Sequence, residues 1–414
     1  MITWISTGSY TDSYPVTFGG IQLGEFSVLE ELANKKYSLP IHLIVVRQKG
    51  QKNKEKLFAG NLCVYRVKKP YSFKYSTDTE FRTAFAIRAK EIVHRLLVYK
   101  KTQLIQLCSV VPARCFLEWD ILNNFAPKKS PKLIYTIHNS LTLAENPCGA
   151  FVAKTEEWET QKRAEIEVIK GVDVLICTSR SFKKFISKKY GIDRKIFYIP
   201  NTVGSYTFFK KIKKNENPQW SKTILFLGRL SREKRVDRVV EIFSYLIRGG
   251  HDYSLIIAGD GEEKDWIKKM IIEKGLKISR KKEPLPATVH MVGMITGETK
   301  WNILKSSRLM ICLSDYEVSP LIGYEALALG VPIIASSLDQ WKELVDDDIN
   351  GFIVDGDDIE LVARKIALII ESNTVYRKIS LENIKKYKSK YDSKIIAKMR
   401  YGLVYAPLLN GDLK

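Results

Sequence analysis

TILFLGRLSREKRVDRVVEIFSYLIRGGHDYSLIIAGDG, residues 223–261, carries the alternation that decides the fold. Residues 223–229 are an apolar run of strand length that ends in Gly228 and a basic loop. From about Val236 to Arg248 the pattern turns helical, and SLIIAGDG (254–261) is a second apolar run closing on glycines. Strands that are apolar on both faces need cover on both faces, and a helix between two of them makes them parallel neighbours.

The rhythm continues downstream through ATVHMVGMI (287–295), RLMICLS (308–314), VPIIAS (331–336) and GFIVD (351–355), with helical patterns near 262–275, 298–305 and 321–329. Upstream, TWISTG opens a first series that runs through IHLIVVR (41–47), NLCVYRVKK (61–69), TQLIQLC (102–108), KLIYTIH (132–138), DVLICTS (173–179) and KIFYIPN (195–201). Helical patterns separate most of these, notably 80–100 and 156–171. KKIKKNENPQWSK (210–222) is basic and aperiodic and reads as a linker. The expectation is two Rossmann-like, doubly wound parallel-sheet α/β domains facing across a cleft: 1–205, a linker at 206–222, and 223–390. The helical stretch 391–414 is placed to return to the first domain.

The 414 residues include 67 Lys and Arg against 46 Asp and Glu, a formal charge of +21. Positions 1–200 hold 32 basic and 18 acidic side chains, so +14 of the excess lies in the first half. Such a field attracts anions, whether nucleic acid, an acidic membrane leaflet or a phosphorylated substrate, although a lysine-coated soluble surface would look the same. No apolar stretch reaches 18 residues and MITWISTGSY lacks a signal-peptide pattern, so a cytoplasmic chain is expected, neither secreted nor membrane-spanning. Six scattered cysteines without a CxxC pair read as reduced core residues.

Open parallel sheets bind ligands at the C-terminal ends of their strands. Three such loops stand out. TFGGIQLGEF offers Gly19, Gly20 and Gly24 before a helix whose N-terminal dipole favours an anion by roughly 0.3–1 kcal/mol. It is not GxGxxG and no acidic residue follows at the right strand end, which removes the main support for a dinucleotide dehydrogenase. FLGRLSREK delivers Arg229 and Lys234 five positions apart, a planar fork and a point charge suited to a diphosphate. In SDYEVSPLIGYEALALGVPIIAS, Glu317 and Glu325 are eight apart, Pro320 can open a helix and Gly330 can stop it. Eight helical residues rise about 12 Å, beyond the roughly 5–9.5 Å of a glycosidase carboxylate pair, so the two Glu read as contacts along one elongated ligand.

Glu317, seven residues, Glu325 and then ALALGVPIIAS resembles the signature of GT-B glycosyltransferases of the retaining family 4 group. GRLSREK resembles that family's diphosphate motif, GDG (259–261) its donor-side turn, DVLICTS and IFYIPN the end of its first domain, and NGF (350–352) also matches. The resemblance implies that Arg229 and Lys234 grip the donor diphosphate, and that Glu325 bonds the donor ribose. It implies that Glu317 and the backbone N–H groups near Pro320, Leu321 and Ile322 hold the transferred sugar. Gly19 and Gly20 would lie beside the diphosphate, and His138 in YTIHN matches the family's active-site histidine. Three positions depart from the pattern: Val318 stands where a small residue is common, Arg235 where Gly is common, and Gln22 near the usual acidic residue.

The implied reaction moves a sugar from a nucleoside-diphosphate sugar, a UDP-sugar in first place, to an acceptor hydroxyl with retention. The charge on the departing phosphate falls to cations and helix N-termini, with no metal and no cofactor. The acceptor is expected to be anionic or lipid-linked, and the basic first domain to attach peripherally at the inner face of a membrane; a soluble natural-product acceptor is the competitor. Sugar-nucleotide epimerisation or an inactive partner subunit are the other uses of this architecture. A nucleic-acid-binding role lacks a basic motif interleaved with aromatics. DDDINGFIVDGD (346–357) fits the spacing of an EF-hand loop, but the strand-like FIV inside it argues for a polar turn.

Overall fold

The computed structural model describes residues 1–6, 20–68, 78–100, 102–119, 130–138, 156–192, 196–215 and 217–413. Two compact units emerge. Residues 1–147 and 152–204 form the first together with Ser393–Lys414, and Ser205–Asp392 form the second.

In the first unit, β1 (Ile2–Ile5), α1 (Gly20–Ala33), β2 (Ile41–Arg47), β3 (Lys54–Leu57), β4 (Leu62–Lys68) and α2 (Asp78–Lys100) lead to β5 (Leu104–Leu107). Then come α3 (Val110–Leu117), β6 (Lys132–Ile137), α4 (Glu156–Gly171), β7 (Val174–Cys177), α5 (Arg180–Tyr190) and β8 (Ile196–Tyr198). The sheet runs β3-β4-β2-β1-β5-β6-β7-β8, parallel except for β3, whose pairing with β4 is antiparallel. The apolar runs became strands because nearly every residue of β1, β2, β5 and β7 is buried, as a sheet covered on both faces requires. Gly24 in α1 has a packing reason: a Cβ there would fall 1.9 Å from the carbonyl oxygen of Thr202.

The second unit runs α6 (Tyr206–Phe209), β9 (Thr223–Leu227), α7 (Val236–Arg248), β10 (Ser254–Ala258), α8 (Lys264–Glu273), β11 (Lys277–Ser279), β12 (Thr288–Gly293) and α9 (Gly297–Ser306). It continues with β13 (Leu309–Cys312), α10 (Leu321–Leu329), β14 (Ile333–Ser336), α11 (Asp339–Leu344), β15 (Gly351–Val354), α12 (Ile359–Glu371) and α13 (Asn373–Lys386). Its sheet is wholly parallel, in the order β11-β12-β10-β9-β13-β14-β15. Ile224, Phe226, Leu255 and Ile257 pack against Val239, Val240, Phe243, Val362 and Ile366 to form its core.

The expected linker at 206–222 is instead structured within the second unit. Asn217 caps a 3₁₀ turn at Pro218–Lys222, and Trp220 is buried. Apolar burial of that tryptophan outweighs the basic, aperiodic character of the stretch. The chain re-enters the first unit at Ser393, through α14 (Ser393–Arg400), a π-helical turn at Tyr401–Tyr405 and α15 (Ala406–Asn410). Ile396, Ala397, Val404 and Tyr405 join the core around Trp4, Phe26 and Leu29.

The acidic run 346–357 forms a turn and then β15 rather than a cation loop. Asp346, Asp348 and Asp357 pair with Lys386, Lys365 and Arg238, and Asn350 bonds the Leu344 carbonyl and Asn383. Cys63, Cys108, Cys115, Cys177 and Cys312 form no disulfide among the described residues; burial pushes Cys177 up to about 12 and raises Cys312 well above the usual range. Among the described residues no helix is long and apolar enough to cross a membrane.

Candidate functional site

In the second unit the loops after β9 and β13 bring Lys234 and Glu317 together. β9 ends at Leu227, and Gly228 and exposed Arg229 follow it. The chain then makes a 3₁₀ turn at Arg232–Lys234 before α7. Two backbone hydrogen bonds, Leu230 N–H to the Asp260 carbonyl and Glu263 N–H to the Leu230 carbonyl, hold this loop against the GDG turn. Only glycine fits there: a Cβ on Gly259 would lie 1.8 Å from the Gly228 oxygen, and one on Gly261 2.4 Å from the Leu230 oxygen.

Lys234 Nζ donates to Glu317 Oε1 at 2.8 Å, and Ser314 Oγ donates to the same oxygen at 3.0 Å. The structure therefore joins two residues that lie 83 positions apart in sequence. Arg229 has no carboxylate within salt-bridge distance among the described residues, which leaves its guanidinium open to an anion. α10 begins at Leu321 with Pro320 as its N-cap, so the N–H groups of Leu321 and Ile322 lie in the first turn, where no intrahelical acceptor exists. α10 ends at Gly330, whose φ of 71° is the left-handed helix stop the sequence suggests.

Glu325 is 2% exposed, and Lys300 on α9 donates to its Oε1 at 2.5 Å. Nothing in the local sequence flags Lys300. A cleft of about 580 Å³ lies at the ends of β10 and β12, lined by Gly259, Lys264, Ile278, Arg280, Met291 and Gly293.

The first unit holds a separate cluster. His138, just past β6, is buried; its Nδ1 lies 3.2 Å from Asn201 Oδ1 and its Nε2 3.4 Å from Glu25 Oε1. Arg400 grips both oxygens of Glu25, with Nη1 at 2.7 Å from Oε2. Burial pushes the Glu25 carboxyl up, but the guanidinium more than offsets this and the net shift is downward. Burial lowers His138, and Arg400 adds to that effect while Glu25 opposes it, so the ring is neutral near pH 7. Cys108 Sγ, which receives the Trp4 indole N–H, lies 3.7 Å from Glu25 Oε2. Glu25, Cys108 and His138 have the donor set of a metal site. The cation beside that carboxylate is Arg400, so the set is already neutralised.

Gly19 lies outside the described residues, and Gly20 is the first residue of α1 rather than part of a loop. Sequence reasoning missed Glu25, Asn201 and Arg400. Glu25 and Arg400 are 375 positions apart, and only the return of the C-terminal segment brings them together.

Residues 207–390 match the family model for glycosyl transferases group 1, and residues 19–204 match that for glycosyltransferase family 4. An uncharacterised glycosyltransferase of Methanocaldococcus jannaschii is 26% identical over 40% of this chain and 40% of its own length. The UDP-Gal:alpha-D-GlcNAc-diphosphoundecaprenol alpha-1,3-galactosyltransferase of Escherichia coli is 26% identical over 53% of this chain and 59% of its own. The chain thus spans about 40 to 59% of the length of these two relatives. The structure of Anabaena HepE with UDP and glucose superposes with a TM-score of 0.66 at 15% identity, covering 99% of both chains. The architecture is GT-B.

Proposed function

The chain belongs to the group 1, family 4 glycosyltransferases, and from that premise we propose that it transfers a sugar from a UDP-sugar to an acceptor hydroxyl with retention of anomeric configuration. The observation that carries this reading is the strand-end cluster of the second unit. Lys234 and Glu317 are paired, Arg229 has no carboxylate partner among the described residues, and α10 begins four residues after Glu317.

Each residue has a physical task. Arg229 and Lys234 neutralise the two phosphates of the donor, and they stabilise most strongly the charge that appears as the anomeric C–O bond breaks. Glu317 and the N–H groups of Leu321 and Ile322 hold hydroxyls of the transferred sugar. The buried Glu325 carboxylate accepts from the ribose hydroxyls, and the cleft beside Gly259 and Gly293 takes the base. The family resemblance assigns His138 to the sugar.

The acceptor oxygen bonds to the anomeric carbon on the face that the phosphate leaves. Its proton passes to the departing phosphate oxygen, so UDP and glycoside are the products. No protein nucleophile is needed, and with two cations at the diphosphate no metal is required; activity in excess EDTA tests that. The acceptor is anionic or lipid-linked, as the excess of positive charge before residue 200 suggests.

The test is calorimetric titration of UDP, GDP, ADP, CDP and dTDP into wild type, Glu325→Ala and Glu325→Gln. UDP binding that falls tenfold or more in both variants supports the reading. Equal binding by wild type and both variants overturns the ribose assignment, and no binding of any nucleotide at millimolar concentration overturns the donor class.

A further inference from the structure

Arg235 stands where the family motif commonly has glycine, and its backbone keeps the glycine conformation, with φ at 49° and ψ at 48°. A non-glycine residue in the left-handed region is strained, so the side chain needs a compensating role. Its guanidinium supplies one. Nε and Nη2 bond the Asp237 carboxylate at 3.0–3.1 Å, and Nη1 bonds Asp315 Oδ2 at 2.9 Å. Arg238 holds the other Asp315 oxygen at 2.6 Å and ties it onward to Asp357.

Asp315 lies two residues before Glu317, the partner of Lys234. On the other side of Lys234, the Glu233 carbonyl accepts the Asp315 backbone N–H at 2.8 Å. Both neighbours of Lys234 are therefore fastened to Asp315, and Lys234 itself to Glu317. Three contacts in register join the phosphate-side loop to the sugar-side loop, and a glycine at 235 would supply only the backbone turn.

We propose that Arg235 is a positioning residue of the donor site: through Asp315 it fixes the spacing between Lys234 and Glu317 and so sets donor affinity. The inference rests on the nucleotide-sugar reading above. Arg235→Gly is the informative variant, because glycine adopts this φ freely and the fold does not depend on the lost ion pairs. The expected result is a thermal midpoint within a few degrees of wild type and a UDP Kd and donor KM raised about tenfold, with kcat changed far less. Arg235→Lys, which keeps the charge without the fork, should recover part of the affinity. Arg235→Gly and Asp315→Asn should be non-additive in UDP affinity.

Wild-type UDP affinity and KM in Arg235→Gly would overturn this inference and leave the donor assignment intact. A midpoint drop with unchanged KM would reduce Arg235 to a structural ion pair and overturn it as well. Wild type that binds no nucleoside diphosphate would overturn both readings.

Discussion

The Cβ that alanine would add at Gly259 falls 1.8 Å from the Gly228 carbonyl oxygen, a backbone atom that cannot swing aside like the end of a side chain. Gly259→Ala must therefore push the GDG turn away from the loop that carries Arg229 and Lys234. Overpacking of this kind costs about 1–3 kcal/mol, and the displaced loop loses its alignment with Glu317. The expected outcome is an earlier melting of the second unit together with weaker UDP binding, read by scanning calorimetry and titration. A variant with wild-type values of both would show that the turn relaxes without moving the cations. Residue-scale features of this unit were largely legible, because GRLSREK, GDG and the paired Glu each sit in one short string. What was not legible is Lys300, whose contact with Glu325 depends on α9 packing beside α10.

Between elements the governing contact is α14 against α1, where Arg400 and Glu25 meet in the core of the first unit. Removing one partner of a buried ion pair leaves an uncompensated charge, so Arg400→Met should destabilise by about 3–5 kcal/mol in chemical denaturation. A loss under 1 kcal/mol would mean that water already reaches Glu25. The same cluster gives a pH dependence. His138 faces Glu25, Arg400, Cys108 and Asn201, and its proton affinity is lower folded than unfolded. The unfolded chain therefore binds more protons as pH falls below about 6.5, and stability falls with it. Glu25, lowered from 4.5, contributes stability that is present above its ordinary value and is lost only at more acid pH. His138→Asn should flatten the loss between about pH 6.5 and 5 and leave the steeper acid limb in place. His290, also lowered by burial, keeps a residual slope in the variant. An unchanged profile between those pH values would show that His138 charges as readily folded as unfolded. The elements that sequence reasoning overlooked share a cause. β3 (KEKL) and β11 (KIS) are polar edge strands with no apolar run to announce them, and such polarity protects a sheet edge.

Charge is a property of the whole chain, and +21 distributed as +14 before residue 200 is the part of the sequence that no element of the fold consumes. α5 illustrates its disposition: Phe182 and Ile186 are buried in the first unit, whereas Arg180, Lys184, Lys188 and Lys189 are exposed. A basic face of this kind gains about 1 kcal/mol per cation near an anionic leaflet, and the gain fades beyond a Debye length of about 10 Å at 0.1 M salt. Cosedimentation with vesicles should therefore be strong for anionic lipid at low salt, weak for the same vesicles at 0.5 M salt on the order of a 4 Å screening length, and absent for neutral lipid. A variant with Lys184, Lys188 and Lys189 changed to Gln should lose much of this binding while its UDP affinity stays at the wild-type value, since α5 belongs to the first unit and the proposed donor residues Arg229, Lys234, Glu317 and Glu325 to the second. Equal sedimentation with anionic and neutral vesicles would assign the excess charge to solubility alone. In that case an anionic acceptor would have to be read by the residues of the first unit at short range, and the long-range field would play no part in finding it.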